Sequence, residues 1–216
     1  MTVKLIAISQ PTIDECTTAE ELVAYCARVS NPANQDNHGT SAKLIRYLIK
    51  NAHWSPLEMV HMTMEINTTR DIARQILRHR SFSFQEFSQR YADPTKSLGF
   101  VTREARLQDA KNRQNSIEVD DAELADLWTG MQELAIENAQ RQYTKAINMG
   151  IAKEQARALL PEGLTESRIY MAGSLRSWVH YCDLRRANGT QKEHREIAEA
   201  CWSIVVDQFP MLGQGD

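Results

Sequence analysis

Five arginines fall between positions 70 and 91, at Arg70, Arg74, Arg78, Arg80 and Arg90, against two acids, Asp71 and Glu86. In a chain whose formal net charge is −3, this is a local concentration of positive charge. Arginine suits phosphate and carboxylate because its planar fork makes two parallel charge-assisted hydrogen bonds. Helical spacing over Arg70–Arg80 puts Gln75, Arg78 and His79 on one face, with Arg70 and Arg74 extending it by steps of four. Ser83 and Ser88 add hydroxyl donors, and Phe82, Phe84, Phe87 and Tyr91 offer rings for stacking. Residue types alone leave two readings open: an anion clamp, or a solvated helix face whose charged last turn suits the helix dipole.

Other chemistries find less support. His180, Cys182, His194 and Cys201 can be drawn as a zinc set, but they lack the close pairs of such sites, and both cysteines fall on apolar stripes. His53 and His61 flank a Pro turn, but no carboxylate cluster completes a metal site there, so no metal is expected. Cys16 and Cys26 read as structural, and no cysteine has the basic sequence neighbour of an activated thiol. No Gly-x-Ser-x-Gly elbow marks Ser83 or Ser88 as a nucleophile, and no glycine-rich dinucleotide fingerprint is present. A nucleic-acid module using the arginines and phenylalanines is the rival from another class; the acidic overall balance argues against it.

These residues must be held by a fold, and 216 residues with 42% hydrophobic content suffice for one domain with a core. No apolar run approaches a membrane span and no leader is evident, so a cytoplasmic setting without membrane contact is expected. Val3–Ser9 reads as a strand. Thr17 with Glu20 is a capping box opening a helix to about Ser30. Ser41 to about Asn51 is helical, and Val60, Met62, Met64 and Ile66 alternate as a strand. Ser81–Tyr91 reads as irregular, and 93–119 as a long loop or excursion. Asp120 with Glu123 opens a long helix to about Gly150, with Leu124, Leu127, Trp128, Met131, Leu134 and Ala135 as its stripe, Trp128 and Met131 reading as core or subunit contacts. A short helix ends at Pro161. Thr165–Ala172 is a strand, Ser174–Arg186 a helix, and Thr190 with Glu193 caps a last helix. About six helices and three or four strands make a single α+β domain over 1–216, with a small, mostly antiparallel sheet flanked by helices.

Arg78-His79-Arg80, followed by seven residues and Ser88, resembles the signature of the flavin-dependent thymidylate synthases. Gln75, Glu86, Arg90 and Tyr91 also match. His53-Trp54-Ser55-Pro56-Leu57-Glu58 resembles a second family element, Arg157-Ala158-Leu159-Leu160-Pro161 a third, and Ser177 to Arg185 a fourth, with His180 where the family has asparagine. The matches run from about 45 to 200.

The resemblance implies an enzyme that makes dTMP from dUMP, with FAD as cofactor, NADPH as reductant and methylenetetrahydrofolate as carbon donor, without a cysteine nucleophile. It places Ser55, Arg78, His79, Arg80, Glu86, Ser174, Arg176, His180 and His53 on FAD or beside it. It places Gln75, Arg78, Glu86, Phe87, Ser88, Gln89, Arg90, Arg157 and Arg185 on dUMP. Arg185 is the catalytic group, its charge favouring the N3-deprotonated pyrimidine. It also implies a homotetramer with sites shared between subunits.

Overall fold

Alternation of apolar and polar residues builds the central sheet. Met62, Met64 and Ile66 are buried on β2 (His61–Thr69), and Ile169 and Met171 on β6 (Glu166–Ser174), while their neighbours in sequence are more exposed. The two strands pair antiparallel with Met64 opposite Met171 and Ile66 opposite Ile169, so the apolar sets share one face. β1 (Thr2–Ile8) pairs with β2, and β3 (Ser83–Glu86) with β6, giving an all-antiparallel order β1-β2-β6-β3. The protein is described here from a computed structural model covering residues 1–213. The last three positions of the expected 1–216 domain lie outside the described residues.

Helices cover the apolar face. α7 (Leu175–Arg186) and α8 (Lys192–Gln208) bring Trp178, Tyr181, Cys182, Ile197, Cys201 and Val205 to it. α1 (Ala19–Ala27) and α2 (Ser41–Lys50) add Val23, Ile45 and Leu48. Trp178 is buried, and its indole N–H donates to the Met62 carbonyl at 3.2 Å, so a large apolar body is seated without an orphaned donor. The architecture is the α+β fold with a small antiparallel sheet and flanking helices that the sequence predicts.

Several local expectations shift. The first capping box is Thr18 with Glu21, one residue later than Thr17 with Glu20. Glu21 also accepts from the Thr17 amide and hydroxyl, so both threonines converge on it. Asp121, not Asp120, caps α5 (Ala122–Asn148). α8 begins after Gln191 with no side-chain cap, so Thr190 does not cap it. α3 (Arg70–Ile76) ends before Arg78, and the Arg78–Arg80 segment is a turn rather than a last helical turn.

The 93–119 stretch is an ordered excursion. It holds the short helix α4 (Pro94–Ser97), a bridge from Phe100 to Thr165, and a hairpin of β4 (Arg106–Gln108) and β5 (Ser116–Glu118). The Gln132 carboxamide on α5 clamps Arg103, accepting from its amide at 2.8 Å and donating to its carbonyl at 2.9 Å. Six strands among the described residues thus exceed the expected three or four. Of α5 itself, Gln132, Ala139 and Tyr143 are buried, while Leu127, Met131 and Leu134 are 61%, 60% and 68% exposed. That stripe is not core of this chain.

Candidate active site

The candidate residues fall into three clusters around α3, α7 and the segment from 86 to 90. The first gathers at the turn after α3. Phe82 fixes this turn: its ring meets Trp178 edge-on at 4.9 Å and Tyr181 at 6.0 Å. Gly173 on β6 makes room for it, since a Cβ there would come within 2.5 Å of the Phe82 ring. The turn then presents Arg78 and Arg80 to solvent and folds His79 inward against Tyr181, edge-on at 4.9 Å. Arg185, in the last turn of α7, donates from Nε to His79 Nε2 at 2.9 Å. Burial, with Arg185 and Arg78 beside it, pushes the His79 pKa down to about 4, so the ring is neutral, with Nε2 as acceptor.

A hydrogen-bonded chain supports this cluster from behind, and its members His194, Gln191, Glu193 and Tyr181 are not among the site residues expected from sequence. Tyr181 Oη and His194 Nε2 lie 3.2 Å apart, and His194 Nδ1 faces Gln75 Oε1 at 3.1 Å. Gln75 donates to Gln191 Oε1 at 2.8 Å, and Gln191 to Glu193 Oε2 at 2.9 Å, with Arg106 paired to Glu193. Gln75 Oε1 can only accept, so His194 carries its proton on Nδ1 and the tyrosine donates to Nε2. His194 is 0% exposed, and burial with Arg185 and His79 nearby pushes its pKa down to about 3. Helical spacing does turn Gln75 this way; His194 is hidden among the charged residues opening α8.

Both rings make stability depend on pH. The unfolded chain takes up these protons near pH 6.5, the folded protein near 4 and 3. Between those values the unfolded state binds more protons, so stability falls as pH drops from 6.5 towards 4. Thermal melts should lose several degrees over the upper part of that window. His194→Gln should flatten the slope; equal slopes in wild type and variant would show that the ring is not held neutral by burial.

The second cluster lies around the phosphate-type residues. Arg90 Nε pairs with Glu154 at 3.4 Å, and Arg157 Nε donates to the Glu154 carbonyl at 3.3 Å, so α6 (Lys153–Ala156) brings both arginines to one place. The Ser88 hydroxyl accepts from the Arg90 amide at 3.4 Å, and the Phe87 amide donates to the Arg168 carbonyl at 2.8 Å. Gln89 is 3% exposed, and its Nε2 has no partner among the described residues. Glu86 is committed within the chain, to Ser167, Arg70 and Arg74. Glu162 binds the same two arginines. Arg70 and Arg74 therefore leave the basic face the spacing implied; Arg78 and Arg80 keep no carboxylate partner among the described residues.

The third cluster joins the start of α7 to the Ser55–Glu58 turn. Arg176 pairs with Glu58 at 2.9 Å, and His180 meets Trp54 edge-on at 4.3 Å. His53 and Ser55 are exposed beside them. Ser174 is 3% exposed and caps α7, accepting from the Ser177 amide. Bonds from Ser174 and Arg176 hold the Glu58 carboxyl below its ordinary range. Arg176 and Arg185 are nine residues apart, about two and a half helical turns, so they leave α7 on opposite sides.

All four thiols are pushed up by burial, Cys182 and Cys201 most strongly, so none is poised as a thiolate. No group of three His, Cys, Asp or Glu side chains able to hold a metal occurs among the described residues. No helix among them is long and apolar enough to cross a membrane.

Residues 12–211 match the family model described as thymidylate synthase complementing protein. A flavin-dependent thymidylate synthase of Synechocystis is 50% identical over 216 residues, covering 98% of this chain and 97% of that protein. A probable flavin-dependent thymidylate synthase of Paramecium bursaria Chlorella virus 1 is 47% identical over 214 residues, covering 99% and 98%. Among solved structures, a UMP/dUMP methylase from Streptomyces cacaoi, bound with 5-Br dUMP, superposes with a TM-score of 0.82 at 27% identity, covering 97% of this chain and 91% of that one.

Proposed function

We infer that this chain, which belongs to the thymidylate synthase complementing proteins, the flavin-dependent thymidylate synthases, converts dUMP to dTMP. The carbon donor is methylenetetrahydrofolate, the resident flavin is FAD, and NADPH is the reductant. The observation that carries this reading is Arg185: a half-buried guanidinium whose hydrogen-bond partner is a neutral imidazole, leaving its charge uncompensated among the described residues. An electron-poor site of this kind stabilises an anion developing on a bound ring.

The donor set fits both ligands. Arg78 and Arg80 are exposed cations without carboxylate partners among the described residues, as a diphosphate needs. Gln89 has a buried, orphaned amide donor in the segment assigned to dUMP, and such a group costs about 1–3 kcal/mol until it is satisfied. When bound, the flavin passes a hydride and the folate supplies the carbon. The protein does the rest. Ser88, Arg90 and Arg157 hold the phosphate, and Gln75, locked by His194 and Gln191, addresses the ring. Arg185 draws the pyrimidine towards its N3 anion, which raises electron density at C5 and makes it the nucleophile. The raised thiols support a route without a cysteine adduct.

Arg176, His180 and Ser55 lie on the far side of α7 from Arg185. We assign them to the FAD of a neighbouring subunit in a homotetramer. The exposed Leu127–Met131–Leu134 stripe of α5 supports such an assembly.

The direct test is anaerobic incubation with FAD, NADPH, dUMP and methylenetetrahydrofolate. dTMP is the expected product, and its absence from flavin-loaded protein overturns the reading. Gln89→Met should weaken dUMP binding roughly tenfold while leaving the melting temperature unchanged or raised, because the orphaned amide is removed. Titration of flavin absorbance with dUMP measures the first and calorimetry the second; unchanged affinity would remove Gln89 from the site.

A further inference from the structure

A cavity of about 600 Å³ opens between the β4–β5 hairpin, the first turns of α5 and the start of α8. Its size is that of a nucleotide site. None of Gln75, Ser88, Arg90, Arg157 or Arg185 lines it, so it is not the place assigned to dUMP. Five basic side chains line it against two carboxylates, in a chain whose net charge is −3.

The ion pairs sort those cations. Arg103 is taken by Asp71, Arg106 by Glu193 and Glu104, and Lys192 by Glu104 and Glu118. Arg113 and Arg195 remain, with no carboxylate partner among the described residues, and Arg195 is half-buried. A guanidinium withdrawn from water without an anion is poorly solvated, and a phosphate would relieve it by charge-assisted bonds. On the α5 wall Trp128, 39% exposed, lines the cavity with an indole able to stack on a flat ring. Gln191 also lines the cavity and bonds Gln75 at 2.8 Å, and Gln75 meets His194, whose ring lies 6.4 Å from that of His79.

We propose that this cavity binds the adenosine 2′-phosphate end of the reduced dinucleotide, with the phosphate against Arg195 and Arg113 and the adenine on Trp128. The proposal rests on the reading of NADPH as reductant. That reading names no residue for the dinucleotide, and the cavity supplies an anchor away from the pyrimidine.

The probe is 2′,5′-ADP, which carries the 2′-phosphate and has no nicotinamide, titrated calorimetrically into flavin-loaded protein. Wild type should bind it, and 5′-AMP at least tenfold more weakly. Arg195→Ala should weaken 2′,5′-ADP at least tenfold, and so should Arg113→Ala, whose hairpin position spares the core. In anaerobic stopped flow, both variants should need at least tenfold more NADPH for half-maximal bleaching of the flavin, with the limiting rate and bleaching by dithionite unchanged. Equal binding of 2′,5′-ADP by wild type and both variants overturns the site. Equal binding of 5′-AMP and 2′,5′-ADP overturns the phosphate assignment. Should NADPH fail to bleach wild-type flavin while dithionite succeeds, the reductant reading falls; 2′,5′-ADP binding lost in the variants would still establish the cavity.

Discussion

Arg185→Ala is expected to retain its flavin and lose dTMP synthesis by about two to three orders of magnitude, the usual cost of deleting a preorganised charge at a developing anion. The size follows from the surroundings of the guanidinium. No carboxylate pairs with Arg185 among the described residues, and its Nε bond goes to a ring that burial keeps neutral. Nothing among those residues offsets its charge, so little of its field is lost before it reaches a ligand. Arg185→Lys is not a conservative control, because an ammonium cannot keep the Nε contact to His79 and also present a planar fork. It should restore at most a minor part of the rate. The measurement is single-turnover conversion of dUMP with pre-reduced flavin, alongside flavin content per chain. Turnover close to wild type in Arg185→Ala would refute the role. Loss of flavin together with activity would show instead that Arg185 holds the turn carrying Arg78 and Arg80.

Much of this site's scaffold is legible in the sequence because one face of the sheet is buried. Met62, Met64 and Ile66 announce β2 by period two, and Ile169 and Met171 announce β6, since a slip of one residue would turn either set to solvent. β3 is not legible in the same way, although Phe82 and Phe84 alternate with Ser83 and Gln85. It is four residues long, and it exists because β6 and Gly173 receive it. Caps shift by one residue where the chain repeats itself: Thr17-Thr18 before Glu20-Glu21, and Asp120-Asp121 before Glu123. Local rules do not choose between adjacent identical cap acceptors. The end of α3 is a tertiary effect, since His79 leaves the helical path to pack against Tyr181 and meet Arg185.

Residue types and family pattern locate the arginines; their division of labour needs partners distant in sequence. Arg70 and Arg74 look like Arg78 and Arg80 on paper. Glu162, about 90 residues on, neutralises the first pair and leaves the second. His194 is a similar case: a polar residue near a helix start becomes buried support for Gln75 once α8 packs against α3. The α5 stripe shows the converse. Its periodicity is real, but Leu127, Met131 and Leu134 stay exposed in this chain.

Arg176→Ala and Arg185→Ala, each nearly inactive alone, should regain activity when mixed subunits assemble. The two side chains leave α7 on opposite sides, Arg176 towards Glu58 and Arg185 towards His79. If each active site takes Arg185 from one subunit and Arg176 from another, random assembly of equal amounts makes roughly a quarter of sites intact, as closed symmetric oligomers permit. Co-expression with two distinguishable tags, purification through both, and dTMP assay provide the measurement. The separately purified variants, mixed without subunit exchange, are the control. Recovery near a quarter of wild type would place the two arginines in one site from different chains. If the tagged hetero-oligomer is as inactive as its parents, a subunit must carry both residues for its own site, and the shared-site assembly fails. A change at the subunit contact tests the same point without touching either arginine. Met131→Glu on the exposed stripe of α5 should lower the oligomeric state and abolish recovery together, because the charge would have to be buried against the neighbour. Flavin binding should weaken in step, since a chain released from its neighbours keeps Arg78 and Arg80 but loses the Arg176 side of the same ligand.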